Sequence, residues 1–148
     1  MNDNQDNITA ESEVPDMVNH PPHYTDGPDL GKLECIDITR WMPFALGSAT
    51  KYIARVGKKG GPEKIREDLG KAEWYISTWN ELRPFWDMLY PQGARTAALA
   101  LLEKAARRDT VSSWKFRAIR FLAACDMASA AMCLEEGWDK FRHTGGVQ

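Results

Sequence analysis

The sequence predicts an all-α fold, in the form of a small helical bundle built on a central helical hairpin. Apolar residues recur at intervals of three and four from about residue 43 to residue 136, the spacing of helices that bury one face. Glycine and proline interrupt this pattern at turns, and the alternating pattern of β-strands is nearly absent. We therefore expect helices near residues 34–42, 43–57, 62–83, 93–108 and 111–136.

Length and composition indicate one globular domain with an N-terminal tail. The 148 residues are 43% hydrophobic and 27% charged, as in an ordinary soluble protein. No apolar run could span a bilayer, and the N-terminus lacks the basic and then apolar pattern of a secretory signal, so we expect a cytoplasmic protein without a membrane partner. Cys35, Cys125 and Cys133 form no CxxC pair, which favours buried reduced thiols over a zinc site or a disulfide framework.

The N-terminal region divides into two segments. Residues 1–17, rich in Asn, Asp and Glu, are predicted to be a disordered acidic leader. The next stretch, VNHPPHYTDGPDL, contains three prolines and should be an extended arm laid over the body. Side chains of His20 and His23 diverge in an extended chain, which disfavours a metal site. The PPHY stretch also matches motifs read by WW-type modules, and His20, His23 and Tyr24 could instead contact a base or sugar.

Charge is distributed unevenly along the chain. Residues 1–37 contain nine acidic side chains and one lysine, whereas the remainder carries a net positive charge. A basic body suggests an anionic partner, although its excess charge is too small and too dispersed to indicate duplex nucleic acid. A phosphorylated small molecule fits this scale better.

The first predicted helix places two carboxylates one turn apart. Glu34 and Asp37 could share a magnesium ion, which typically takes one or two protein carboxylates together with substrate phosphates. They could equally form the acidic first turn that the helix dipole favours, and the residues by themselves favour this second interpretation.

The predicted hairpin of residues 43–57 and 62–83 concentrates the basic residues on one side. Its first helix buries Ala45, Ala49, Ile53 and Val56 and turns another face outward, formed by Ser48, Lys51, Arg55 and Lys58. Gly57 can supply a left-handed cap, and the KKGG turn that follows leaves backbone N–H groups that suit a phosphate.

A charged helix face is also the ordinary surface of a solvated helix. On the second helix, Ile65, Leu69, Ala72, Ile76 and Trp79 are expected to form the buried stripe. Lys64 with Asp68, and Glu67 with Lys71, have the spacing of exposed i,i+4 ion pairs. Periodicity alone favours this solvated interpretation over a binding site.

The C-terminal half is predicted to be structural. The helix near residues 93–108 should turn Ala94, Ala98, Leu101, Leu102 and Ala105 inward. In the helix near residues 111–136, a heptad-like seam runs from Val111 to Met132, and additional apolar positions widen it enough to predict a homo-oligomer. Gly137 is expected to end this helix. A basic cluster is expected at the surface, with a second phosphate contact as the alternative; it comprises Arg107, Arg108, Lys115, Arg117 and Arg120.

Four ordered blocks carry a resemblance to a known family. VNHPPHY, ECIDI, LGSATKYIARVGKKGG and EDLGKAEWYI, over about residues 18–79, resemble a small family of tailed-phage proteins long catalogued as a domain of unknown function. The best understood member of that family is a nucleotide kinase lacking a P-loop. This chain has Ser48 where the family usually has Asn, which puts the role of that position in doubt. The resemblance implies binding of a (deoxy)nucleoside monophosphate and phosphoryl transfer to it from a nucleoside triphosphate.

Residue roles can be proposed on that basis, and the chain indeed has no GxxxxGK[ST] sequence. Phosphoryl transfer needs positive charge on the moving oxygens and a divalent ion. We expect Arg55, Asp68 and Lys71 to be catalytic, and Glu34 and Asp37 to hold Mg²⁺, with Asp68 as a further carboxylate. The expected substrate-binding residues are His20, His23, Tyr24, Ser48, Lys51, Arg55, Lys58 and Lys59.

Two other functions remain open. An ExxD pair followed by Glu67 and Asp68 is similar to the all-α nucleoside triphosphate pyrophosphohydrolases, although their paired carboxylate signature is incomplete here. A non-enzymatic protein that sequesters a nucleotide would need the basic and aromatic residues but not the carboxylates. In either case, residues 18–83 form the expected nucleotide-binding core, and residues 84–148 complete the bundle and contribute the oligomer interface.

Overall fold

The computed structural model describes residues 18–19 and 29–144 and confirms an all-α bundle. The helices of the described residues are α1 (Cys35–Thr39), α2 (Phe44–Arg55), α3 (Pro62–Glu81), α4 (Trp86–Leu89), α5 (Gln92–Ala105), α6 (Arg108–Val111), α7 (Trp114–Ala123) and α8 (Met127–Thr144). A short 3₁₀ turn, Arg83–Phe85, lies between α3 and α4. The predicted acidic leader, and His20, His23 and Tyr24 of the predicted arm, lie outside the described residues.

The central hairpin of α2 and α3 forms as predicted. Gly57 adopts a φ of +79° immediately after the cap residue of α2, and Gly60 a φ of +76° in the turn, both in the left-handed region that glycine tolerates best. Pro62 begins α3, where its missing N–H costs no hydrogen bond. The predicted apolar stripes of both helices face the core, and only Ile65 among them is partly buried.

The predicted helix 111–136 is wrong, because the chain reverses direction in its middle. Helix α7 ends at Ala123, Cys125 takes a left-handed φ of +59°, and α8 begins at Met127. The Asp126 carboxylate caps the new helix by accepting the backbone N–H of Ser129 at 3.1 Å. Aspartate is a preferred residue at the start of a helix, a signal that the continuous apolar pattern concealed.

This second hairpin also overturns the predicted seam and the predicted role of Gly137. Val111 and Met132 are exposed, and Cys125 lies in the turn, so no heptad seam runs along one helix. Helix α8 continues through Gly137 to Thr144. The glycine instead allows close contact with α7, since a Cβ there would lie 2.7 Å from the Trp114 ring.

The remaining helix boundaries differ by smaller amounts. Helix α1 ends at Thr39 rather than near residue 42, because a turn leads into Pro43. Helix α5 ends at Ala105, and Arg108–Val111 forms a separate short helix.

The two hairpins pack against each other, α2 on α7 and α3 on α8. Helix α1 packs on α2, α5 packs on α7, and α1 and α5 contact each other. These contact surfaces enclose a core whose largest fully buried side chains include Trp79, Tyr90 and Phe116. The Tyr90 hydroxyl donates to the Ala123 carbonyl at 2.8 Å, which satisfies the end of α7. No helix within the described part of the chain has both the length and the apolar character needed to cross a membrane.

Candidate functional site

A pocket of about 510 Å³ lies between α1 and α2, beside the two described residues of the arm. Its volume falls within the ordinary range for small-ligand sites. Three of the predicted site residues line it, namely Glu34, Ser48 and Lys51. One face of α2 supplies Phe44, Gly47, Ser48 and Lys51, which repeat at intervals of three and four. Val18 and Asn19 contribute from the arm.

Three cations converge on the Tyr52 ring next to this pocket. The Nζ of Lys51 lies 4.4 Å from the ring centroid, the Cζ of Arg55 lies 4.9 Å from it, and the Nζ of Lys71 lies 5.2 Å from it. These three residues, which we call the cation cluster, come from both helices of the hairpin. The electron-rich ring face stabilises cations placed over it, which partly offsets their mutual repulsion. Lys51 belongs to both features, so the positive charge adjoins the pocket.

Arg55, one member of the cation cluster, also forms a buried ion pair with Asp68. Its Nη2 atom is 2.5 Å from the Asp68 Oδ1 atom and its Nε atom 3.1 Å away, with the Asp68 side chain fully buried. The predicted pairing of Lys64 with Asp68 is therefore wrong, because Asp68 points into the core, and Lys64 instead lies 3.0 Å from Glu67. The other Asp68 oxygen, Oδ2, has no hydrogen-bond partner among the described residues.

The carboxylate of Glu67 faces the opposite way, into solvent. It accepts from Lys71 at 2.6 Å, as the i,i+4 spacing predicted, and also from Lys64. Hydrogen bonds from Lys71 and then Lys64 lower the pKa of Glu67 to about 2, and the same contact raises the pKa of Lys71. Glu67 and Asp68 consequently do not form a carboxylate pair of the kind that a pyrophosphohydrolase site would need.

Glu34 and Asp37 occupy the start of α1. The Asp37 carboxylate accepts the backbone N–H of Glu34 at 2.9 Å, which is a helix-capping contact. Glu34 lines the pocket and Asp37 does not. Among the described residues, no group of three or more His, Cys, Asp or Glu side chains is placed to hold a metal ion. The pair therefore fits the capping interpretation, and Glu34 alone is placed to reach a ligand in the pocket.

No residue of the KKGG turn lines the pocket. Lys58 is half-buried and Lys59 is exposed, and neither side chain lines the pocket. The Lys58 N–H donates to the Arg55 carbonyl at 2.9 Å, which closes the turn. A ligand confined to the pocket would therefore not need Lys58 or Lys59, and their substrate contacts stay a prediction.

Lys115 corrects the expectation of a solvated basic cluster. It is buried at the start of α7, where its Nζ donates to the Val56 carbonyl and lies 3.5 Å from the Asp29 carboxylate. The Ser113 hydroxyl donates to the same carboxylate at 2.6 Å. Burial lowers the pKa of Lys115, against the opposing effect of Asp29. Lys115 and Asp29 thus join the end of α2 to α7 and to the segment preceding α1. Arg107, Arg108 and Arg120 are exposed, as predicted.

The thiol of Cys35 also lines the pocket. Burial raises the pKa of Cys35 to about 12, although the charges of Lys58 and Lys51 act in the opposite direction. The thiol therefore stays protonated, and a nucleophilic thiolate is not available at neutral pH.

The sequence interpretation overlooked Tyr52 and Tyr75, and it wrongly placed Lys115 at the solvated surface. Tyr52 gathers the cation cluster, and Tyr75 stacks on it with ring centroids 5.8 Å apart and an interplanar angle of 12°. Each hairpin helix carries a lysine near a tyrosine, Lys51 beside Tyr52 and Lys71 four residues before Tyr75, and this was a usable signal for the two tyrosines. Lys115 gave none, because a single lysine in an apolar stripe reads as a surface residue.

Comparison with known proteins finds a family model that matches the segment containing this site. Residues 18–77 match a family described as a protein of unknown function (DUF3310), and the match spans α1, α2 and most of α3. The pocket and the cation cluster both lie within it. No curated protein and no solved structure is significantly similar to the chain.

Proposed function

We propose that this protein binds a (deoxy)nucleoside monophosphate in the pocket between α1 and α2 and transfers a phosphoryl group to it from a nucleoside triphosphate. The observation that carries the proposal is the position of Lys51, which lines the pocket and also belongs to the cation cluster around Tyr52. A nucleoside in the pocket would direct its phosphate toward three cationic side chains. Phosphoryl transfer depends mainly on such placement and charge.

The residues divide into three roles in this proposal. Ser48 and Lys51 bind the monophosphate within the pocket, and Lys51, Arg55 and Lys71 stabilise the charge of the phosphoryl group in transit. Asp68 holds the Arg55 guanidinium through the buried ion pair. Magnesium, which would neutralise phosphate charge, would be held by Glu34 together with water and phosphate oxygens. The described residues do not support a shared site for Glu34 and Asp37.

The motif resemblance supports this assignment independently of the pocket. The four sequence blocks resemble tailed-phage nucleotide kinases that lack a P-loop, and three of them form α1, α2 and α3. On this proposal the protein works in the cytoplasm, which is that of the bacterial host if a phage encodes it.

Sequestration of a nucleotide without catalysis is the second candidate. One observation favours it: Asp68, the carboxylate predicted to act in catalysis, is fully buried against Arg55. A sequestering protein needs no carboxylate near the transferred group, and the pocket and cation cluster would serve binding alone.

Product analysis separates these functions. Purified protein is incubated with each nucleoside monophosphate, ATP and Mg²⁺, and the nucleotides are separated. Diphosphate formation supports the kinase, bound but unchanged nucleotide supports sequestration, and released pyrophosphate supports a pyrophosphohydrolase. Absence of both turnover and binding would overturn the proposal.

A pair of lysine variants tests the site itself. Lys51→Ala removes a charge that adjoins the pocket, and a charge-assisted contact of this kind is worth ~1.5–3 kcal/mol, or about ten- to a hundredfold in monophosphate affinity. Lys64→Ala is the matched control, because Lys64 pairs with Glu67 outside the pocket. Equal affinities of the two variants, measured by titration calorimetry, would contradict the assignment of the pocket.

A further inference from the structure

Two exposed and two half-buried aromatic rings contact one another next to the cation cluster. Phe44 is 79% exposed and Trp74 is 62% exposed, unusually high values for large apolar rings. Both rings pack edge-on against Tyr75, with centroid distances of 5.8 Å and 5.0 Å, and Tyr52 stacks on Tyr75. We call these four residues the aromatic row. The row begins at the pocket, which Phe44 lines, and crosses from α2 to α3.

Positive charge flanks this row on one side. Lys51, Arg55 and Lys71 all lie within 5.2 Å of the centroid of the Tyr52 ring. A surface of exposed rings next to several cations is complementary to a ligand with a flat π-system and several negative charges. Nucleotides have this chemistry, since bases stack on aromatic side chains while phosphates pair with Lys and Arg.

We propose that the aromatic row binds the base of the nucleoside triphosphate that donates the phosphoryl group. This inference rests on the proposed function, which requires two nucleotides with their phosphates close together. The pocket would hold the acceptor on the α1 side of the cation cluster. Trp74 and Tyr75 lie on α3 and do not line the pocket, so a base stacked on Trp74 directs its phosphates to the same three cations.

Stacking also predicts the specificity of this subsite. Every base offers a π-face, so recognition by stacking is tolerant of the base. Of the two exposed rings in the aromatic row, Phe44 has no polar group and Trp74 has only its indole N–H donor. The donor site should therefore accept adenine, guanine and pyrimidine triphosphates alike.

The experiment compares binding of ATP and of tripolyphosphate, which lacks the base, by titration calorimetry. Trp74→Ala should weaken ATP about five- to a hundredfold, the usual effect of removing one stacking ring, and leave tripolyphosphate unchanged. Trp74→Phe should restore most of the ATP affinity. Trp74 lines no part of the pocket, so monophosphate affinity should stay at the parental value.

Phe85→Ala is the matched control, since Phe85 is 53% exposed but lies outside the aromatic row. It should leave the affinities for ATP, tripolyphosphate and monophosphate unchanged.

ATP affinity within twofold of the parent in both Phe44→Ala and Trp74→Ala would overturn the inference. So would monophosphate binding without any ATP binding, an outcome that leaves the acceptor pocket intact. If the parent binds neither nucleotide, the proposed function fails as well. A change of oligomeric state in Trp74→Ala at parental ATP affinity would assign the row to a second copy of the chain instead.

Discussion

The buried pair of Arg55 and Asp68 is a strong energetic constraint on the hairpin. Asp68→Ala would leave a buried guanidinium without its carboxylate, and breaking such a pair costs ~3–5 kcal/mol of folding free energy. Glu67→Gln is the control. Because Glu67 points into solvent, this substitution should change the free energy of unfolding by a barely measurable amount. Urea unfolding followed by circular dichroism measures both. A stability loss below 1 kcal/mol for Asp68→Ala would contradict the burial of this pair.

Cys35 should make the folded protein less stable as the pH rises into the alkaline range. Its thiol has an ordinary pKa of 9.0, which burial raises to about 12 in the folded protein. Above pH 9 the unfolded state loses the proton while the folded state retains it. The contribution of Cys35 to the free energy of unfolding is therefore fully present below pH 9. It is lost as the pH rises toward 12, at no more than about 1.4 kcal/mol per pH unit.

The test compares urea unfolding of the parent and of Cys35→Ala at several pH values from 8 to 10.5. The variant should lose less stability per pH unit above pH 9 than the parent. Tyr90 has a raised pKa of about 12 in both proteins, so its contribution to the alkaline slope cancels in the comparison. Identical slopes would show that the Cys35 thiol titrates normally in the folded state.

At the scale of elements, the contact between α7 and α8 depends on a glycine in mid-helix. Alanine normally stabilises such a position by ~0.8–1 kcal/mol. A Cβ at Gly137 would meet the Trp114 ring at 2.7 Å, and overpacking of this kind costs ~1–3 kcal/mol. We therefore expect Gly137→Ala to destabilise the protein.

Gly70 in the middle of α3 provides the opposite case. Nothing lies within 4 Å of a Cβ added there, so Gly70→Ala should stabilise by about 0.5–1 kcal/mol. The two melting temperatures should thus move in opposite directions. Stabilisation by both substitutions would mean that α7 and α8 pack less closely than described.

The site itself is assembled from several elements. Helix α2 contributes residues to the pocket, the cation cluster and the aromatic row. Lys115 on α7 donates to the carbonyl of Val56, the residue that caps the end of α2. The family match ends at residue 77, yet this support comes from the C-terminal half. Lys115 consequently supports the end of α2 without lining the pocket.

At the scale of the whole molecule, self-association remains a prediction. The second hairpin buries most apolar positions of the predicted final helix, but Met132 on α8 is left 75% exposed. We expect a homo-oligomer at tens of micromolar, a concentration at which moderate interfaces persist. Sedimentation velocity tests this, and Met132→Lys should lower the sedimentation coefficient. A monomeric parent at that concentration would leave the exposed apolar positions without this explanation.

The sequence by itself determined the helical class, the α2–α3 hairpin and its cap at Gly57, because these depend on local periodicity and on backbone preference at single residues. It also identified Ser48, Lys51 and Glu34, which share the pocket. Only the tertiary structure decided that the last predicted helix folds back on itself. A continuous apolar pattern fits both one long helix and two packed ones, and contacts across the turn select between them.

Charge partners were likewise decided by the tertiary structure. Sequence spacing paired Lys64 with Asp68, since residues four apart on a helix are neighbours. Burial overrode that spacing, because a carboxylate inside the core requires a buried cation, and α2 supplies Arg55 from across the hairpin. Lys115 and Asp29 meet for the same reason from opposite halves of the chain.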